Sequence, residues 1–262
     1  MIWDFSDDEF FVLCERFLDG KVPFPLVYTS HTRYEEDARR RHVEVTEQLG
    51  PAVFAELEPV FELLRNPELS IGAHARREDD LDNPELRIRA HLARRGRRAV
   101  MVTMKPGETI YHSGGFTLTE CEPEDLPGLI VGQLPATEPG SGPAVPLVTE
   151  PEERDPYEVR QSLAFDSFEE TDESRSAAFW AKPIEWNGFV RVMQGRSMYG
   201  PRGHMESLLV WRDLPMDGRY AFEMGRPETH AVATGPQQLA NRIDGLMREV
   251  LQHMEARGES LG

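Results

Sequence analysis

Residues Met205–Met224, MESLLVWRDLPMDGRYAFEM, carry two runs of alternating apolar and polar residues on either side of Pro215-Met216-Asp217-Gly218. Side chains alternate across a strand with period two, so Ser207, Leu209 and Trp211 are predicted on one face and Leu208, Val210 and Arg212 on the other. Asp217-Gly218 supplies a pair that tolerates positive φ, as a tight reversal requires. Tyr220-Ala221-Phe222-Glu223-Met224 then alternates again. The stretch predicts an antiparallel hairpin.

Working outward, Trp186 to Gln194 precedes it as a strand and Thr229 to Thr234 follows as another. Gly235-Pro236 then starts a long helix with Leu239, Ile243, Leu246, Met247, Val250 and Met254 on one face. Upstream, Leu69–Arg76, Leu86–Ala93, Arg98–Met104, Glu108–Ser113 and Phe116–Cys121 are short alternating runs. Arg95-Gly96, Pro106-Gly107 and Gly114-Gly115 punctuate them, and a short helix over Glu124–Leu134 closes the series. The first sixty-odd residues are mainly helical. Ser6-Asp7-Asp8-Glu9 is a capping box opening a helix towards Leu18, and a second helix runs to Leu49. Gly50-Pro51 breaks it before a third over Ala52–Leu64, where Pro59 predicts a kink. Val22–Tyr28 between them, with Pro23 and Pro25, predicts an edge strand.

Strand, hairpin, strand, helix over Leu86–Leu134 matches the same order over Trp186–Gln252. Each half alone has one sheet and one helix to cover it, which is marginal burial. Pairing the halves about a pseudo-twofold axis predicts an α+β fold with a central, mostly antiparallel sheet flanked by helices. The chain then reads as a single domain with related halves 1–134 and 174–262. Between them lies a Pro/Gly-rich linker over 135–156, continuing as an acidic arm over Asp155–Glu173.

The chain has 262 residues, enough for a core without staples, and only two cysteines, Cys14 and Cys121, read as free thiols. Its N-terminus lacks a basic signal region, and no apolar run reaches the length of a membrane span, so a cytoplasmic protein without membrane insertion is predicted. With 46 acidic against 29 basic residues the net charge is −17, which disfavours nucleic acid as a partner.

Catalytic chemistry is poorly represented. The eight histidines are scattered, without the spacing of a zinc site. Glu78, Asp79, Asp80 and Asp82 lack the glycine and closing glutamate of a calcium loop. Gly195–Gly203 leads into a strand rather than the helix a phosphate loop needs. No metal, cofactor or catalytic group is expected, and one alternative is kept, a small-ligand hydrolase or transferase using His112 and Ser113. What remains is surface. Trp186, Trp211, Tyr220, Phe222, Tyr111 and Phe116 fall on predicted strands, and a sheet covered on one side leaves aromatics on the other for a partner. Open edge strands would also permit self-association.

The chain resembles the EspG family, secretion-associated chaperones of actinobacterial type VII (ESX) systems. The resemblance covers nearly the whole chain. It rests on Phe24-Pro25-Leu26 after the first helix, on Leu63-Leu64-Arg65-Asn66-Pro67-Glu68-Leu69 and on Leu86–Val102. In the second half it rests on Trp211-Arg212-Asp213-Leu214-Pro215, Asp217-Gly218-Arg219-Tyr220 and Thr234-Gly235-Pro236. It implies a cytosolic chaperone, not an enzyme, that binds the apolar tip of the PPE subunit in a PE–PPE dimer, keeps it soluble and targets it for export. It implies contact through the central sheet, the C-terminal helix and the loop between the second and third strands. On this sequence those are Trp211, Arg212, Tyr220 and Phe222, then Leu239 and Arg242, then Glu78, Asp79, Asp80 and Asp82.

Overall fold

Two nine-residue strands pair along their full length at the centre of the molecule: β2 (Leu69–Arg77) runs antiparallel to β7 (Trp186–Gln194), with Ala73 opposite Val190. The computed structural model describes residues 1–148, 171–197, 199–200 and 203–259. On one side of the central pair follow β3 (Arg87–Arg95), β4 (Arg98–Pro106), β5 (Ser113–Cys121) and the edge strand β1 (Ile2–Phe5). On the other follow β8 (Glu206–Leu214), β9 (Gly218–Met224), β10 (Thr229–Ala233) and the short edge strand β6 (Val145–Leu147). Every neighbouring pair of these strands is antiparallel. The fold is α+β, with one sheet shared by both halves of the chain.

The halves are related about the β2–β7 pair, but one strand out of step with the expected repeat. Glu108–His112 is a turn, not a strand, and Ser113 opens β5, so β2-β3-β4-β5 corresponds to β7-β8-β9-β10. The helices do match as expected. Pro123 and Pro236 stand at the start of the helical segments that lead into α3 (Leu126–Gln133) and α5 (Pro236–Ala256). Proline is preorganised for that position because the missing N–H has no helical partner there.

α3 and α5 cover one face of the sheet. Their Leu126, Ile130, Leu239, Ile243, Leu246 and Val250 pack on Leu69, Ile71, Leu92, Val190, Leu209 and Trp211. The opposite face is covered only at its ends. Over β1, β5 and β4 lie α1 (Asp7–Phe17) and α2 (Glu35–Arg65), whose Phe10, Leu13, Leu57 and Phe61 meet Val100, Val102, Phe116 and Leu118. Over β9 and β10 lies α4 (Asp172–Ala181), whose Phe179 meets Tyr220, Phe222 and Ala231.

Local rules account for the helix ends. Ser6 Oγ accepts from the Glu9 amide while the Glu9 carboxylate accepts from the Ser6 amide, completing the capping box. Gly50, at φ 68°, breaks the helical path inside α2 as expected, whereas the helix continues through Pro59 without a non-helical residue. The predicted edge strand over Val22–Tyr28 does not form. This segment crosses the open face instead, and Phe24 lies against Gly72, where a Cβ would come within 2.9 Å of the ring. Residue 72 therefore has to be small.

The expected linker also needs correction. Residues 135–148 are laid along the body and wrap the β8–β9 turn. The Arg219 amide donates to the Glu138 carbonyl, Gly140 donates to the Arg219 carbonyl, and Gly142 donates to Tyr220 Oη at 2.9 Å. β9 satisfies the first polar groups of this segment. Further on, β6 pairs with β10, Val145 and Leu147 pack against the Phe179 cluster, and Ser176 and Arg175 of α4 bond the Val148 amide and the Ala144 carbonyl. The rest of the linker and the acidic arm over Asp155–Glu173 lie outside the described residues up to residue 170. Thr171 then caps α4 by accepting from the Ser174 amide.

Candidate partner-binding surface

Between the α1/α2 ledge and the α4 ledge, the middle of the sheet stays open. Even-numbered residues of β2 and odd-numbered residues of β3 share this face: Gly72 is paired with His91, His74 with Arg89, and Arg76 with Arg87. Across β7 and β8 the same face carries Asn187, Phe189 and Arg191 opposite Arg212, Val210 and Leu208. His74, Arg76, Arg87, Arg89, Phe189, Val210 and Leu208 are half-buried, while their odd- and even-numbered neighbours facing α3 and α5 are mostly in the core.

Aromatic groups rim the strip. Phe24 stacks on Phe189 with ring centroids 6.0 Å apart, and the Arg191 guanidinium lies 5.5 Å from the Phe24 ring. At the far rim Trp180, 45% exposed, meets Phe222 edge-on at 5.5 Å and takes the Arg212 guanidinium on its ring at 4.9 Å. Large exposed aromatics beside cations are the residue types that anchor protein contacts. Leu81, in the acidic loop after β2, is also exposed.

The strip is cationic on an acidic protein. Burial, then Arg89, Arg87 and Arg76, hold His74 well down, at about 4, so it is neutral near pH 7. Burial and the neighbouring Arg87 push Arg89 down to about 10. His91 beneath is buried and likewise lowered to about 4, chiefly by desolvation, and its neutral ring pairs through Nδ1 with the Phe24 carbonyl at 2.7 Å. That bond ties the Phe24 segment to the sheet.

The contact residues expected from sequence divide between the two faces. Trp211, Leu239 and Arg242 belong to the covered face. Trp211 and Leu239 are fully buried, and Arg242 donates to the Ala221 carbonyl at 2.8 Å. A Cβ at Gly188 would meet the Trp211 ring at 2.4 Å, so the indole fills the space a side chain there would take. Tyr220, Phe222 and Arg212 face the other way but are 1%, 1% and 5% exposed beneath α4. The expectation of exposed hairpin aromatics is thereby corrected: α4, reached only after the acidic arm, covers them. Arg212 and the loop Glu78, Asp79, Asp80 and Asp82 adjoin the strip, with Glu78 paired to Arg76 at 2.9 Å and Asp79 to Arg77 at 2.8 Å. Sequence reading passed over Phe189, Trp180, Arg87 and Arg89, although the period-two alternation within β3 marks Arg87 and Arg89 as sharing one face.

His112 and Ser113 do not meet as nucleophile and base. His112 Nδ1 pairs with Thr109 Oγ1 at 2.8 Å, its ring stacks on His31 at 4.8 Å, and Ser113 Oγ is buried with no hydrogen-bond partner. A groove of about 620 Å³ lies elsewhere, between α1 and the first half of α2, lined by Phe11, Tyr28, Ala38 and Val43. Among the described residues no group of three or more His, Cys, Asp or Glu is placed to hold a metal, and no helix is long and apolar enough to cross a membrane.

The family model described as the EspG family matches residues 6–245 of the chain. Comparison with curated protein sequences gives no match. Among solved structures the chain is similar to one described as the Mycobacterium tuberculosis type VII secretion system chaperone EspG5 in complex with PE25-PPE41 dimer. The likeness is 15% identical, covers 94% of this chain and 96% of that chain, and has a TM-score of 0.56. At that identity it establishes the fold.

Proposed function

Since the chain belongs to the EspG family, we propose that it is a cytoplasmic chaperone and adaptor of type VII secretion that holds the apolar tip of a PPE-type subunit in a PE–PPE dimer. Binding keeps that tip out of water and presents the dimer for export. The solved relative in complex with PE25-PPE41 supports the partner class. The observation that carries the site is the half-exposed strip on β2, β3, β7 and β8, left open between α2 and α4 and rimmed by Phe24 and Trp180. A helical-hairpin tip fits an open sheet face with apolar rims, and the acidic loop Glu78–Asp82 beside it adds a charged group that can discriminate among partners. Because both halves build one sheet, the chain acts as a single unit in this role.

Arg212 supports the strip from below by holding Trp180. Trp211, Tyr220, Phe222 and Leu239 support it as core, and Arg242 by tying α5 to β9. The test is co-expression with PE–PPE pairs from the source genome. A soluble one-to-one complex with one pair is expected, and Trp180→Ala or Phe189→Asp should weaken it without unfolding the chain. If no pair co-purifies with the folded chain, the reading is wrong.

A further inference from the structure

Arg87 and Arg89 are neighbours on the open face of β3, and among the described residues neither meets a carboxylate. Arg87 donates from one Nη to the Leu81 carbonyl at 2.7 Å, and its Nε is buried with no partner. Arg89 donates from one Nη to the Ile110 carbonyl at 3.1 Å and lies 4.0 Å from Met104 Sδ. Carbonyl contacts do not neutralise either charge, and an unpaired buried donor is costly.

The other cations nearby are already engaged. Arg76 is held by Glu78, and Lys105 pairs with Asp4 at 2.7 Å. Between Lys105 and the two arginines is a cleft of about 10 Å³, bordered by Met104, Ile110 and Pro84. That is room for one water-sized group, the size of a carboxylate oxygen. Polyanions are repelled at long range by the net charge of −17, whereas a single carboxylate brought in on a docked apolar surface is not.

We propose that Arg87 and Arg89 form a carboxylate receptor, filled by an aspartate or glutamate side chain on the tip of the bound partner. The inference rests on the docking reading above and adds the chemistry that selects the partner. A guanidinium N–H donates a charge-assisted hydrogen bond to a carboxylate oxygen seated in the cleft, and two guanidinium groups converging on it fix the register of the tip as well as its presence.

The experiment measures affinity for a captured PE–PPE pair at low and at physiological salt, using the full chain, Arg87→Gln/Arg89→Gln, and Arg89→Glu. The double variant should bind roughly tenfold or more weakly, with a shallower salt dependence. Arg89→Glu should lose binding and regain it when one tip carboxylate of the PPE subunit is changed to Lys. Should the double variant fail to fold, Arg87→Gln alone carries the test, since its hydrogen bond is to a loop carbonyl. Wild-type affinity and salt dependence in that variant would overturn the inference alone. Failure of the unaltered chain to capture any pair would overturn the docking reading with it. Binding of inorganic phosphate to the free chain, lost in the double variant while partner affinity is unchanged, would also overturn it by giving the pair to a free anion.

Discussion

Arg219 grips Asp213 with two parallel hydrogen bonds, Nε to Oδ1 at 2.7 Å and an Nη to Oδ2 at 2.8 Å, and both side chains are almost wholly buried. The guanidinium also lies 4.2 Å from the Trp211 ring and donates to the Pro135 carbonyl, so the pair joins β8, β9, the core indole and the segment after α3. Thr137 Oγ1 donates to Asp213 Oδ2 and completes the set.

Breaking this pair from one side leaves an uncompensated buried charge. Asp213→Ala should destabilise the fold by about 3–5 kcal/mol in a denaturant melt. The combined change Asp213→Leu/Arg219→Met should recover much of that loss. A double variant no better than the single one would show that the anchoring of Pro135 matters more than the charge.

The two tryptophans should separate fold from binding. Trp211→Ala empties a fully buried site and should cost about 3–5 kcal/mol. Trp180→Ala, with its ring 45% exposed, should leave the melting midpoint within about 1 kcal/mol of the parent while weakening the partner complex.

His91, buried, and His74, half-buried, predict loss of stability in mild acid. His74 and His91 are held at about 4 in the fold against 6.5 unfolded, so the unfolded chain binds more protons between those values. Their contribution is fully present above pH 6.5 and is lost as pH falls towards 4, each with a limiting slope of about 1.4 kcal/mol per pH unit. Urea midpoints measured from pH 7.5 to 4 should fall steeply, and His91→Asn should flatten the curve.

A second acid limb belongs to Asp217. Its carboxylate accepts from the Ser141 amide and hydroxyl, from Lys182 and from Tyr220 Oη, which hold it down at about 2, mainly through the Ser141 amide. Its stabilisation is present above pH 3.8 and disappears as pH falls to about 2. Asp217→Asn should remove this limb and loosen residues 139–142 in hydrogen exchange.

Ser6→Ala removes one side of the capping box and should cost about 1 kcal/mol, read as a shift in the thermal midpoint. A shift near zero would mean that the packing of Phe10 and Leu13 alone sets where α1 begins.

Alternation made the hairpin legible. The odd and even residues of β8 fall on opposite faces as their spacing predicts, and the turn lies between Leu214 and Gly218, although positive φ falls on Met216 and Gly218 rather than on Asp217. Capping and breaking residues were equally plain at Ser6, Gly50 and Pro236. β1 was missed because four residues are too few for a pattern, and Glu108–Ser113 was misread because its alternation is not matched by a partner strand. Period two identifies two faces but does not say what covers each. The reading therefore placed Trp211, Tyr220 and Phe222 together on a surface, when the first lies on one face and the others on the opposite face beneath α4.

Local rules acting over a few residues, namely side-chain alternation, helix capping and turn chemistry, determined most of the central strands and the capped helices, and the family resemblance came from motifs of that range. The tertiary structure decided which face stays open, that 135–148 is strapped to β9 and β10, and that Arg87 and Arg89 meet no carboxylate among the described residues. Those facts depend on groups far apart in sequence and on whether each buried polar or charged atom finds a partner. Pairing of that kind is set by packing and is not encoded in the pattern of any one segment.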